Sequence, residues 1–216
     1  MLAAIIPVKR LGQAKSRLAN ILSPAERRLL VQAMLDDVLA AMLATRGVDR
    51  VGVISADPAV LAQAAARGAE VILDQQADLN AALTQAAGHY AAAGARAVLA
   101  LPGDLPLATA GAIERMLAAA AGARAAAIAP SRDGGTNALL IRPPLALPYR
   151  FGVGSLARHT AAARAHAIEL RVVHDEGLSL DLDQPDDLLL LAERDGATAT
   201  QRLLRELCVS ERVMCV

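Results

Sequence analysis

A chain of 216 residues and 22.3 kDa, 55% hydrophobic, is long enough for one domain with a true core. Its 22 basic and 22 acidic residues cancel, and one Phe, two Tyr and no Trp remain for stacking on bases, so no nucleic-acid partner is expected. Charged or turn-forming residues interrupt every apolar stretch before the roughly 18 residues that span a bilayer, and Lys9 follows the apolar N-terminus where a signal peptide would carry charge before it; a cytoplasmic protein without a membrane partner is expected. Alanine accounts for 50 residues, which predicts Ala-rich helices lying close to a sheet.

Short β-type runs alternate with longer helical patterns. Strands are predicted at Leu2–Val8, Val51–Ser55, Glu70–Leu73, Ala97–Leu101, Ala125–Ala129 and Ile168–Val173. The first helix starts at Ser23-Pro24-Ala25-Glu26, a capping Ser, a Pro at the first helical position and a reciprocating Glu. Leu29, Leu30, Ala33, Met34, Asp37, Val38 and Ala41 follow at a spacing that buries one face, with Asp36 and Asp37 expected on its solvated flank. Asp57, Asp78 and Thr109 open further helices. This alternation predicts an α/β fold with a mostly parallel sheet covered on both faces, whose ligands sit beyond the carboxyl ends of the strands. Residues 131–155 break the alternation with many Gly and Pro and read as a long functional loop or a small inserted hairpin. Cys208 and Cys215 are expected as free thiols, and the tail from Ala197 to Val216 as a packing or subunit contact, a homodimer being one form of the latter.

Both lysines of the protein, Lys9 and Lys15, fall with Arg10 and Arg17 on the loop after strand one. Compact ammonium groups there suit a triphosphate; a solvated basic turn is the plain alternative. The loop is no P-loop, since Lys9 and Ala14 occupy the two positions where Gly is needed, and no G-x-G-x-x-G follows the strand. Leu101-Pro102-Gly103-Asp104-Leu105-Pro106 ends a strand in a rigidly held Asp, either a Mg²⁺ ligand or an Asx turn. Leu180-Asp181-Leu182-Asp183 reads as a strand with both carboxylates on one face, a pairing that calls for a cation; capping by Asp183 ahead of Pro185 is the rival. Asp133-Gly134-Gly135-Thr136-Asn137 and Phe151-Gly152-Val153-Gly154-Ser155 offer exposed main-chain N–H groups, and Ser155 starts a helix whose terminus suits an anion; flexible loops would use the same glycines. His89, His159, His166 and His174 lack metal-ligand spacing and are assigned structural or solvated roles.

Ile6–Lys9 (I-P-V-K), Ala14–Leu18 (A-K-S-R-L), Ser23–Arg27 (S-P-A-E-R), Leu79-Asn80, Leu101–Leu107 (L-P-G-D-L-P-L), Pro130–Leu139, Phe151–Ser155 (F-G-x-G-S) and Leu180–Pro185 (L-D-L-D-x-P) occur in this order over nearly the whole chain. In that order they resemble the guanylyltransferases that activate 2-phospho-L-lactate, phosphoenolpyruvate or 3-phospho-D-glycerate in biosynthesis of the deazaflavin coenzyme F420. The resemblance implies a single nucleotidyltransferase domain over residues 1–216 and transfer of GMP from GTP to a small phosphorylated carboxylic acid, with Mg²⁺ as cofactor and a downstream deazaflavin transferase as the recipient of the product. It implies Asp104, Asp181 and Asp183 as metal ligands. Lys9, Lys15, Arg17, Asn80 and Gly103 fall on nucleotide-binding positions, with Lys9, Lys15 and Asp104 catalytic. Thr136, Gly152 and Ser155 fall on acid-binding positions. Gln184 departs from a common Thr, and the tail has no clear counterpart. The Ala-rich, Arg-rich composition suggests a high-GC bacterial gene over an archaeal one, which leans towards phosphoenolpyruvate or 3-phosphoglycerate. Competing readings are a nucleotidyltransferase of the same fold acting on a sugar phosphate or molybdopterin, and a non-catalytic nucleotide-binding regulator.

Overall fold

In the computed structural model, which describes residues 1–76 and 78–214, the chain winds into one seven-stranded sheet. The strands are β1 (Leu2–Pro7), β2 (Arg50–Ser55), β3 (Glu70–Leu73), β4 (Ala97–Ala100), β5 (Ala125–Pro130), β6 (Thr136–Arg142) and β7 (Glu169–Val172), in the order β3-β2-β1-β4-β6-β5-β7. All pairings are parallel except those of β6, which runs against both β4 and β5. Six strands lie within one residue of their predicted limits. The seventh, β6, lies inside the segment expected as a loop or inserted hairpin. It forms a hairpin with β5 but sits in the middle of the main sheet, its Thr136–Ile141 run wholly buried. A six-residue run buried on both faces carries no alternation to reveal it.

The helices are α1 (Pro24–Leu43), α2 (Pro58–Ala66), α3 (Leu79–Ala92), α4 (Ala110–Ala119), α5 (Ser155–Ala165), α6 (Glu176–Ser179), α7 (Pro185–Ala192), α8 (Ala199–Glu206) and α9 (Val209–Met214). α3 and α5 pack on the sheet face carrying Ala3 and Ile5 of β1; α1, α2, α4 and α6 to α9 cover the face carrying Ala4 and Ile6. Ser23 caps α1 in a capping box with Glu26, and Asp57, Asp78 and Thr109 cap α2, α3 and α4 as their sequence positions predict. The core face of α1 is turned by about one residue from the prediction: Leu30, Val31, Met34, Leu35, Val38, Leu39 and Met42 are buried while Leu29 is exposed. Each such side chain contributes roughly 2 kcal/mol by leaving water.

The tail is not an appendage. Asp37 of α1 accepts hydrogen bonds from the main-chain N–H groups of Ala199 (2.6 Å) and Thr200 (2.9 Å) and from the Thr200 hydroxyl (2.6 Å). A carboxylate against these N-terminal amides is a helix cap supplied by tertiary structure, so Asp37 is not on a solvated flank. Asp36 binds Arg67 and Gln63 of the α2 region. Leu204 and Val209 complete the core on this side. Cys208 is an exposed free thiol, and Cys215 lies outside the described residues. Among the described residues no helix is long and apolar enough to cross a membrane.

Candidate active site

Every strand of a parallel sheet delivers its following loop to one edge. Here the segments after β1, β2, β3, β4 and β5 open on a cleft of about 750 Å³. Because β6 is antiparallel, its first residues, Thr136 and Asn137, join the same rim.

The basic loop occupies one wall. Its Leu11 N–H donates to the Asp57 carboxylate (2.9 Å), tying the loop to the start of α2. Lys15 adopts a left-handed backbone (φ 55°) that few non-glycine residues take, and its side chain, only 6% exposed, turns inward. The ammonium donates to Asp104 Oδ2 and Asp183 Oδ1, both at 2.7 Å. Burial disfavours the charged amine, but the two carboxylates outweigh it and hold Lys15 above the ordinary lysine range. Arg17 reaches Asp183 at 3.6 Å. Burial pushes Asp183 upward, while Lys15, Arg17 and Lys9 together bring it below the usual carboxylate range. Lys9 lines the cleft and is exposed.

Asp104 follows β4 in a turn where Gly103 fits closely: a Cβ there would stand 3.0 Å from Val8 Cγ2 of the basic loop. The Asp104 carbonyl accepts the Leu182 N–H at 3.2 Å, which brings the last acidic pair alongside. The 180–183 segment is not a strand of the sheet, contrary to expectation. Its alternation is real, with Leu180 and Leu182 buried, but this one main-chain bond to the β4 loop stands where a ladder was expected. Asp181 accepts from Asn137 Nδ2 (3.2 Å), and burial, then the charges of Asp104 and Asp183, raise it above the usual carboxylate range. Asp183 does not cap α7 with its side chain: its main-chain N–H and that of Gln184 both donate to Asp187.

The residues present fit a divalent cation of the magnesium type. Asp104 and Asp183 already converge on a single positive centre, the Lys15 ammonium, with hard oxygen donors. Among the described residues no group of three His, Cys, Asp or Glu side chains is gathered tightly enough to hold a metal alone. Mg²⁺ is usually held by one or two carboxylates together with substrate phosphates, so two converging acids suffice.

A second part of the cleft lining is built for an anion. Gly152 (φ 111°) and Gly154 (φ 66°) turn the chain into α5, where Gly154 is the N-cap. Ser155, 0% exposed, opens the helix with its hydroxyl buried and unpartnered, while the residue lines the cleft. The positive end of an 11-residue helix and a hydroxyl without a partner make a receptor for carboxylate or phosphate. Val153 at the loop tip is 99% exposed.

Asn80, expected at a nucleotide-binding position, holds the main chain of the glycine loop with its side-chain amide. Its amide oxygen accepts the Phe151 N–H (2.7 Å) and its Nδ2 donates to the Phe151 carbonyl (3.3 Å). Both ends of the amide are therefore engaged in clasping the glycine loop to α3. Asn137 carries no separate signal in its motif, and His159, expected in a structural or solvated role, is buried one helical turn after Ser155.

Comparison with known proteins agrees with this architecture. A family described as guanylyl transferase CofC like matches residues 2–213, so the tail from Ala197, expected to have no clear counterpart, is matched as far as residue 213. The chain is 46% identical over 190 residues to a phosphoenolpyruvate guanylyltransferase of Sphaerobacter thermophilus, covering 88% of this chain and 91% of that protein. It is 40% identical over 205 residues to the 2-phospho-L-lactate guanylyltransferase of Methanothermobacter thermautotrophicus, at 94% and 90% coverage. It is 38% identical over 212 residues to the 3-phospho-D-glycerate guanylyltransferase of Phenylobacterium zucineum, at 96% and 97% coverage. A crystal structure from Desulfovibrio desulfuricans G20, described as a nucleotide-diphospho-sugar transferase, superposes with a TM-score of 0.82 over 99% of this chain and 97% of that one, at 19% identity, which attests the fold. With the basic loop, the converging acids and the glycine loop in one cleft, and with relatives matching nearly end to end, the chain belongs to the CofC-like guanylyl transferase family.

Proposed function

We propose that this protein transfers GMP from GTP to the phosphate of a small phosphorylated carboxylic acid, with Mg²⁺ as cofactor, in biosynthesis of the deazaflavin coenzyme F420. The observation that carries the reading is the presence, in the lining of one cleft, of a lysine–carboxylate cluster (Lys15, Asp104, Asp183) and an anion receptor at the start of α5 (Ser155). Two anions must meet for this chemistry, and a cleft lined by both cationic groups and hydrogen-bond donors can align them.

Lys9, Lys15 and Arg17 bind the triphosphate, with Gly103 keeping the chain close to the basic loop. Thr136, Gly152 and Ser155 orient the acid. An oxygen of the acid's phosphate attacks the α-phosphorus; the new P–O bond forms as the α–β bridging bond breaks, and pyrophosphate leaves with the electron pair. No protein nucleophile is used. Asp104 and Asp183, with Asp181 beside them, would hold Mg²⁺, which when bound neutralises charge on the phosphates. Phosphoenolpyruvate is the preferred acceptor, since relatives bearing that name share 40–46% identity, against 40% and 38% for relatives named for the other two acids.

The test is pyrophosphate release from GTP and MgCl₂ with each of phosphoenolpyruvate, 2-phospho-L-lactate and 3-phospho-D-glycerate, a downstream deazaflavin transferase being present to draw off the product. Release with phosphoenolpyruvate above the others is expected. Release with none of the three acids, by a protein that still binds GTP, overturns the proposal in favour of another acceptor or a regulatory role.

A further inference from the structure

His159 lies in α5 one turn after Ser155, is 0% exposed, and lies outside the cleft lining. Its ring meets Phe151 edge-on at 5.2 Å between centroids. Nε2 accepts the main-chain N–H of Arg150 at 2.9 Å, and Nδ1 lies 3.1 Å from Thr136 Oγ1. One imidazole thus joins the first residue of β6, the loop before Gly152 and the helix that carries Ser155.

These contacts decide where each proton sits. A main-chain N–H can only donate, so Nε2 carries no hydrogen. Burial, aided by the charges of Arg158 and Arg150 and opposed by a hydrogen bond to the Ser155 main chain, brings the ring from the ordinary 6.5 down to about 4, so at neutral pH it holds one proton. That proton is on Nδ1, which faces Thr136 Oγ1 at 3.1 Å and donates to it, the Ser155 carbonyl one turn earlier being a second acceptor nearby. The Thr136 hydroxyl hydrogen is then directed away from the ring, and no acceptor among the described residues takes it. Thr136 and Ser155 both line the cleft, so that donor is left for a ligand there.

We infer that His159 is a positioning residue for the acceptor: by filling the acceptor lone pair of Thr136 it commits that hydroxyl to donate to an anionic oxygen of the phosphorylated acid. A rotor that could otherwise donate to the protein is fixed as a donor to substrate, and the clamp on Arg150 sets the height of the glycine loop above it. The inference rests on reading this part of the cleft as the acid subsite, and the tests separate the two.

Long-range ¹H–¹⁵N spectra of the protein labelled at histidine read the tautomer directly. A protonated Nδ1 and bare Nε2 are expected; the opposite tautomer, or a doubly protonated ring at pH 7, overturns the inference whatever the substrate. Pyrophosphate release with GTP and phosphoenolpyruvate then reads the role. His159→Asn, which keeps an N–H near the Nδ1 position, should hold the acid KM within about threefold of the unmodified protein, whereas His159→Gln, which keeps only the acceptor for Arg150, should raise it about tenfold with the GTP KM unchanged. Thr136→Val should match that rise, Thr136→Ser should restore most of it, and adding His159→Gln to Thr136→Val should cost little more. A GTP KM that rises in step with the acid KM, or effects of the two substitutions that simply add, shows a structural residue and overturns the inference. Should His159→Gln fail to fold, the Thr136 pair and the tautomer decide. Should the unmodified protein use none of the three acids, the functional reading fails and the tautomer alone decides this one.

Discussion

The Lys15 ammonium and the Asp183 carboxylate, 168 residues apart in the chain, meet at 2.7 Å. The same ammonium holds Asp104, so one buried cation keeps two acids from repelling each other. Lys15→Met leaves those acids facing each other without it. Turnover should fall at least about 100-fold, and MgCl₂ should raise the melting temperature of the variant more than that of the parent. Asp104→Asn and Asp183→Asn should abolish turnover with the melting temperature within about 4 °C of the parent, and chelation followed by MgCl₂ should remove and restore activity. Parental rates in either Asn variant would sink the metal assignment.

Asn80 separates two uses of one amide. If it serves to hold the Phe151 loop, Asn80→Ala raises the KM for the acid about tenfold and leaves that for GTP nearly unchanged. If it reads the base, the GTP value moves instead. Steady-state kinetics with each substrate varied in turn decides the matter, and the double hydrogen bond to Phe151 favours the first outcome.

Asp37 is expected to act on stability alone. Removing a carboxylate that accepts three hydrogen bonds at the start of α8 should cost about 1–3 kcal/mol. Urea melts of Asp37→Ala should show that loss, and hydrogen exchange should be faster in α8 and α9, with both KM values unaltered.

The neutral, buried imidazole of His159 gives the fold a pH dependence. Its value is about 4 when folded and 6.5 as a model side chain, so between these the unfolded chain binds the extra proton and stability declines as pH falls. The full effect, reached below the lower value, is on the order of 3 kcal/mol. Denaturant midpoints measured from pH 7.5 to about 4.5 should slope downward below about 6.5. The slope should be shallower in His159→Gln; an unchanged slope would show that other groups produce it.

Much of this was readable because local chemistry and global fold agree. Caps at Ser23, Asp57, Asp78 and Thr109 announce themselves by side chains that can satisfy orphan amides nearby. The basic loop and the acids were visible because charge is unusual after a buried strand. What stayed hidden depends on contacts distant in sequence. Strand β6 has no alternation because both its faces are covered, and Leu180–Asp183 alternates as a strand would while making a single main-chain to main-chain bond, to the β4 loop. Asp37 looked solvated because its partners lie 162 and 163 residues away. The use of Asn80 and His159 depends on main-chain groups of Phe151 and Arg150, whose positions no pattern of side chains records.

The reversed strand β6 has a consequence for how such a protein can change. Thr136, Gly152, Ser155 and His159 all lie in one uninterrupted stretch of 24 residues, from the start of β6 into α5, whereas Lys9, Lys15, Arg17 and Asp104 come before it and Asp181 and Asp183 after it. The groups assigned to the acid can therefore be exchanged as a block, leaving the machinery for the nucleotide under separate selection. Grafting this stretch from a relative with a different acid preference is thus a compact route to altered specificity, provided the graft retains the main-chain partners of Asn80.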